Sequence, residues 1–239
     1  MTELSTNRFI AGLPAPDRIE LLKHLRPCSL AHSWQLQEQG ERIEHVYFPL
    51  GGIVSLLTVM DDGRAVEWAM LGNNGGVALV AGLGHMRATC RARVQAPGPA
   101  LRMTAAEFHK IAQCNPGLLA RVVLHQEMML GQVQQTAACN ILHDAEHRLA
   151  RWLLHALDHV GKSETIPFTQ EFLSNMLGVR RTTVTLIAGS FQNAGLINYR
   201  RGRIEVLDRT GLEEAACECY RVVRRLIARS AALLGARKA

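Results

Sequence analysis

The sequence predicts an α+β chain: a small antiparallel β-roll, then a long helix, then a compact helical unit closed by a β-hairpin. Three observations predict it. Residues 169–206 spell two short helices separated by a glycine and followed by a basic hairpin. Residues 39–101 alternate like short strands with turn residues between them. Residues 116–140 carry an apolar stripe at alternating spacings of three and four.

Taken in chain order, a short helix from Ala15 to His24 precedes the strands and packs against them. Asp62-Gly63 between Val- and Leu-rich runs is a hairpin signal, and Gly51-Gly52 and the stretch from Gly72 to Gly76 are further turns. Short strands at this spacing imply a jelly roll of about eight strands. A helix from Ala105 to Gln113 follows, and Pro116 opens the long one. Its Leu119, Val122, Gln126, Met129, Val133, Thr136 and Asn140 recur in the a/d pattern of a coiled coil. A helix seated on its own roll would show such a stripe too, but the polar breaks at Gln126, Thr136 and Asn140 suit a dimer seam that needs register control. A linker around Cys139 to His143 leads to a helix from Ala145 to Val160, with Leu149, Trp152, Leu153 and Leu157 facing inward. The expected parts are 1–115, 116–140 and 141–239.

The last part carries the most specific pattern. Thr169 is a good N-cap, Phe172, Leu173, Met176 and Leu177 share one face, and Gly178 breaks the helix. The second helix runs from about Arg180 to Ala194, with Val184, Ile187, Ala188 and Phe191 inward. This is a helix-turn-helix, and it aims Arg180, Arg181, Thr182, Thr183 and Thr185 outward, where they can meet base edges in a major groove. Arginine can fork onto guanine O6 and N7, and threonine can offer its hydroxyl or pack its methyl on thymine. Ile197–Tyr199 and Ile204–Val206 read as two strands joined by Arg200-Arg201-Gly202-Arg203, a basic tip suited to phosphates.

Charge agrees. Residues 141–239 hold 15 Lys and Arg against 10 Asp and Glu, whereas residues 1–140 hold 12 against 11, so the basic excess sits with the helix-turn-helix. A mean hydropathy near zero, no apolar run long enough for a membrane span and a polar N-terminus without a signal-peptide core lead to the expectation of a cytoplasmic protein. The cysteines at 28, 90, 114, 139, 217 and 219 form no C-x-x-C pair, so buried reduced thiols and no metal site are expected; Cys217 and Cys219 on one helix would point in different directions. No G-x-S-x-G, P-loop or H-E-x-x-H motif is present, so no enzyme constellation is in view.

The order of roll, long helix and winged helix-turn-helix resembles the cyclic-AMP receptor/fumarate–nitrate regulator (CRP/FNR) family of bacterial transcription factors along nearly the whole chain. GERIEHVYFPLGGIVSL at 40–56, with Asp62-Gly63 following, resembles the family's sensory roll, of the cyclic-nucleotide-binding type, and TQEFLSNMLGVRRTTV at 169–184 resembles its helix-turn-helix more specifically. The resemblance implies a homodimer that binds a palindromic promoter site and contacts RNA polymerase. It also implies that Thr169 touches phosphate, Arg181 is the main guanine reader, and Thr182 and Leu186 occupy two further base-reading positions. Members that read TGTGA-type half-sites carry Glu and Arg at those two positions, so a different half-site is expected.

The sensory cassette departs further. Cyclic-nucleotide binders of the family use Gly-Glu for the ribose and Arg-Ser for the phosphate. Here the segment is GGVALVAGLGHMRATCRARV at 75–94, with Val77 at the Glu position between Gly76 and Ala78. Arg87, Arg91 and Arg93 could meet an anion, although alternating arginines are commonly a solvated face. Cyclic AMP is therefore not expected. Cys28 stands alone where the oxygen-sensing branch has a cysteine cluster, which disfavours an iron–sulfur centre. His32, His85 and Cys90 are the candidates for a haem that is likewise not expected. The effector stays unidentified. The alternative to a DNA reader is a nucleotide- or haem-binding adaptor, which leaves the Arg200–Arg203 tip unexplained.

Overall fold

Short, largely buried strands along the front half build two antiparallel sheets. The computed structural model describes residues 7–160 and 165–232, so the first six residues, which belong to the polar N-terminus, lie outside the described ones. Two helices, α1 (Arg8–Ala11) and α2 (Ala15–His24), precede the strands β1 (Arg26–Leu30), β2 (Gln35–Gln37), β3 (His45–Pro49), β4 (Ile53–Val59), β5 (Ala65–Leu71), β6 (Arg91–Ala96) and β7 (Gly98–Thr104). The sheets run β1-β7-β3 and β2-β6-β4-β5. Among the described residues the roll thus has seven strands rather than eight, and it begins at Arg26, well before Gln39. The missing strand is the stretch after Gly72. There the chain makes one bridge, Val77 to Tyr47, then winds into a 3-10 turn at Leu79–Leu83 that packs on Phe108. At the other hairpin Gly63 takes φ 82°, the conformation the Asp-Gly pair foretold.

Thr104 closes the roll with a capping box to Glu107 and starts α3 (Ala105–Cys114); Pro116 then starts α4 (Pro116–Leu142). The expected linker is shorter than read, because α4 continues through Leu142 and leaves His143 and Asp144 before α5 (Ala145–Val160). The winged unit comprises β8 (Thr165–Ile166), α6 (Gln170–Leu177), α7 (Arg181–Asn193), β9 (Ile197–Arg200), β10 (Arg203–Val206) and α8 (Arg209–Ala215), with β10 central in its three-stranded sheet. A last helix, α9 (Cys219–Ala232), returns along α4, where its Leu226 meets Gly131. The sequence reading had no counterpart for α8 and α9.

The winged core of Leu149, Leu153, Phe168, Leu173, Ile187 and Phe191 is continuous with Ile53 and Met70 of the roll. Ionisable groups are trapped beside this junction. Glu67 is fully buried, and burial pushes its pKa up to about 8 against the opposing pull of the Ser55 hydroxyl and the Arg151 guanidinium. Burial likewise holds His159 down to about 4 and His125 down to about 3.

Candidate nucleic-acid interface

Thr169 behaves as its sequence position predicts: its side chain accepts from the Phe172 amide at 3.1 Å and caps α6. Gly178 ends that helix in the left-handed region at φ 65°, where a side chain would be strained, and the Ser174 hydroxyl donates to the Val179 carbonyl at 2.6 Å to fix the turn. The chain then enters α7 with Arg180 as N-cap and Arg181 as the first helical residue, one position later than the sequence suggested. Val184, Ile187, Ala188 and Phe191 are buried and seat the helix on its core.

The opposite face is bare. Arg180, Arg181, Thr182, Thr185 and Leu186 are exposed, and Thr183 is half-buried. Leu186 leaves 75 % of its surface in solvent, an apolar side chain with nothing in the protomer to cover it. The Thr185 hydroxyl bonds back to the Arg181 carbonyl at 3.0 Å, which commits its proton and leaves its methyl for other contacts.

The wing is a two-residue hairpin. Arg200 pairs with Arg203, and Arg201 and Gly202 both take positive φ, 49° and 73°, as a type I′ turn requires. Arg200, Arg201 and Arg203 are exposed. No acidic side chain lies within ion-pair distance of these three or of Arg180 and Arg181, among the described residues. Thr169, Gln170, Arg181, Tyr199, Arg201 and Gly202 line a cleft of about 450 Å³ between the start of α6, the start of α7 and the wing. Two of these cations, Arg181 and Arg201, line the hollow itself, and Arg180, Arg200 and Arg203 stand near them in sequence on the helix start and the wing.

Comparison with known proteins agrees with this geometry. Residues 147–215 match the Crp-like helix-turn-helix domain. They are a Crp-like DNA-binding domain. The fold of the whole chain is that of CRP/FNR-type transcription regulators. It is similar to FixK2 from Bradyrhizobium japonicum (TM-score 0.68, 15 % identity, 81 % of this chain and 98 % of that one). It is similar also to two CRP-type transcriptional regulators of Thermus thermophilus. These are TTHB099 (TM-score 0.65, 19 % identity, 79 % and 96 %) and TTHA1359 (TM-score 0.62, 22 % identity, 80 % and 98 %). No curated protein matches the chain in sequence. No described helix is long and apolar enough to cross a membrane.

Elsewhere the structure redistributes the expected site residues. In the roll, Gly76, Val77 and Ala78 do line a cavity, together with Trp68, His125 and Met129, but it holds only about 60 Å³. Arg87 and Arg91 are not in it. Arg87, in the stretch before β6, donates to the Gly40 carbonyl at 3.0 Å; Arg91 is paired with Glu38 at 2.7 Å, because alternation along β6 points Arg91 and Arg93 away from the interior. His32, offered for haem, bonds the Gln95 carbonyl at 2.8 Å.

The stripe on α4 also divides. Val122 and Met129 are buried in the protomer's own cores, and the Thr136 hydroxyl donates to the Trp68 carbonyl at 3.1 Å. Asn140 accepts from Arg148, which also reaches the Leu177 carbonyl that ends α6. These four residues are therefore spent inside the protomer, and the face left open is rotated by one position. Leu119 and Gln126 are half-buried, Val133 is exposed, and Val123, Leu130 and Ala137 complete the three-four series on the outer side. The cause is that α4 is wrapped on two sides, by the roll and by α9.

Three of the six cysteines converge in space. Cys217 lies in the turn before α9 and Cys219 is its first residue, so the two do not share a helix and both reach Cys139 and His143 at the end of α4. Their spacing in the sequence, four residues in one pair and two in the other but 78 apart between Cys139 and Cys217, gave no sign of this.

Proposed function

We propose that this protein is a sequence-specific transcription regulator that works as a homodimer on a palindromic promoter site. The observation that carries the reading is the set of five exposed arginines without an acidic partner on the start of α7 and the wing of the Crp-like domain, two of which, Arg181 and Arg201, line the cleft between α6, α7 and the wing. Phosphates would supply the missing counter-charges, and Arg181, Thr182 and Leu186 would meet base edges from the first turns of α7. With Thr and Leu in place of an acceptor and a second guanidinium, the half-site would differ from TGTGA.

A two-fold reader needs a second copy, and the outer face of α4 supports that partner. Val123 and Leu130 keep 50 % and 57 % of their surface exposed, and Ile141 and Leu142 continue the apolar surface with 83 % and 74 %. Leu119, Val123, Gln126, Leu130, Val133 and Ala137 give the repeating three-four spacing of a coiled-coil seam. Such a dimer would act through contact with RNA polymerase. The roll would serve it chiefly as a platform, since a cavity of about 60 Å³ is well below the roughly 300 Å³ at which ligand pockets begin.

The test is a mobility shift with palindromic duplexes selected from a random pool, repeated over a range of salt. The regulator predicts one selected palindrome and affinity that falls steeply with salt, by about 0.9 in logarithmic slope per phosphate contact. An adaptor without DNA readout would enrich no sequence.

A further inference from the structure

Four metal-binding side chains from distant parts of the chain converge where α4 ends. Cys139 stands on its last turn, His143 caps it, and Cys217 and Cys219 flank the entry to α9. All four donor atoms lie within 4.8 Å of one another. Cys139 Sγ is 3.6 Å from Cys217 Sγ, and Cys219 Sγ is 3.7 Å from His143 Nδ1. One tetrahedral ion with bonds of about 2.3 Å to sulfur and about 2.0 Å to nitrogen imposes donor separations of about 3.5 to 3.8 Å. Those two separations fall in that range, and all four donors lie too close together to span the several irons of a cubane cluster.

Three further observations point to an ion rather than to loose thiols. The sulfurs are sheltered: Cys139, Cys217 and Cys219 are 0 %, 6 % and 1 % exposed and His143 is half-buried, as suits a site with four protein ligands. The imidazole is oriented from behind, because His143 Nε2 lies 3.2 Å from Glu218 Oε2, which leaves Nδ1 free to face the sulfurs. Such a carboxylate behind a histidine ligand is a recurrent outer contact of zinc sites. Third, Arg151 is 1 % exposed, lies within electrostatic reach of all three sulfurs, and has no hydrogen-bond partner for Nε or Nη2 among the described residues. A divalent ion with three thiolates and one neutral imidazole carries a net charge of −1 and would balance this buried cation, whose neighbouring carboxyl, Glu67, is pushed up to about 8 by burial.

We propose that Cys139, His143, Cys217 and Cys219 hold one structural Zn²⁺ in a closed three-cysteine, one-histidine site. On binding, three thiol protons leave to solvent as three Zn–S bonds form, with no change of oxidation state. Gln135 Nε2, 3.0 Å from Cys219 Sγ, donates to one of the thiolates. The whole Crp-like domain, residues 147–215, lies between the two halves of the ligand set, so the ion would staple that domain to the end of α4 and fix the angle at which it is carried. The inference does not depend on DNA binding, because metal content is read without DNA.

The experiment uses the full chain purified under reducing conditions, incubated with Zn²⁺ and desalted. About one zinc per protomer should be retained, and Co²⁺ in its place should give the visible bands of a tetrahedral ion with near-ultraviolet thiolate charge transfer. A Cys217→Ser, Cys219→Ser double variant should lose the cobalt spectrum. Glu218→Ala changes an exposed side chain, so it should fold normally and yet bind zinc about 10- to 100-fold more weakly in chelator competition. Failure of the wild type to retain zinc, or retention of iron with sulfide instead, would overturn the proposal. So would an intact mass short by two hydrogens from a Cys139–Cys217 disulfide, or an unchanged cobalt spectrum in the double variant.

Discussion

The cleft of the winged unit is lined by Arg181 and Arg201, whereas the arginines of the roll lie outside its cavity, and the two hollows end in opposite states. Arg200 and Arg203 flank the cleft on the wing; none of the four has an acidic partner among the described residues, and about 450 Å³ stands open. In the roll, Arg87 and Arg91 are tied to Gly40 and Glu38, Val77 is buried, and about 60 Å³ remains. Arginine is therefore informative here only through what neutralises it. A cation left unpaired beside a hollow is kept for a partner, whereas one already bonded to its own chain contributes to the fold.

The largest effect should come from the surface that would join two such clefts in the proposed dimer. Leu130→Glu places a charge on the exposed side of α4, where it would face its symmetry mate and desolvation and like-charge repulsion would add. Sedimentation should show monomers of unchanged stability, and affinity for a palindrome should fall by about 10² to 10⁴, the loss of the second half-site's avidity. Met129→Glu should behave otherwise. Met129 is 6 % exposed in the protomer's own core, so that variant should lose thermal stability before it loses dimerisation. Dimeric Leu130→Glu would move the seam off this face.

Within the cleft, Arg181→Ala should cost about 1 to 3 kcal/mol at one base position and relax the preference there, with fold and dimer intact. Arg201→Ala or Arg203→Ala should instead weaken every duplex alike and lower the salt slope by about one unit for each lost phosphate contact. Equal behaviour of the helix and wing variants would erase the distinction between reading and positioning.

Glu67, at the closed end of the molecule, should give a smaller effect that is visible only against pH. It is an acid whose folded pKa, about 8, lies above its ordinary 4.5. Its contribution to stability is full below the lower value and is lost as pH rises through the higher one. His159 and His125 act on the other side: held down to about 4 and 3 from 6.5, they contribute stability that is present above 6.5 and lost as pH falls. Glu67→Gln keeps the neutral shape, so its melting temperature should match the wild type near pH 5 and exceed it near pH 8. Parallel pH curves would mean that Glu67 is ionised in the folded protein.

How much of this was legible in the sequence follows from which forces are local. Thr169, Gly178 and the Arg201-Gly202 tip were readable because caps, left-handed glycines and two-residue turns act within a few residues of themselves. The stripe on α4 was half readable. Its period reported an apolar face, but which side meets the roll and which stays open depends on α9, an element that the periodicity of α4 cannot contain. The meeting of Cys139 with Cys217 was not readable at all, since it is set by how the winged unit folds back rather than by any spacing.

The smallest expected effect is none. Cyclic AMP should leave DNA affinity and melting temperature unchanged, for two separate reasons. Val77, 1 % exposed and bonded through its backbone to Tyr47 in both directions, stands where a ribose would need a carboxylate. Unpaired ribose hydroxyls there would cost about 1 to 3 kcal/mol each. The cavity beside it is also too small for the nucleotide without displacing Trp68 or Met129. Titration calorimetry decides the matter, and Val77→Glu separates the reasons. If the missing carboxylate alone blocked binding, that variant would gain affinity. If space also limits, it should gain nothing and lose stability, because it buries an unpaired carboxylate in a closed core. Micromolar binding by the wild type, coupled to tighter DNA binding, would show that the roll opens on its ligand and that the contrast between cleft and cavity is one of state rather than of design.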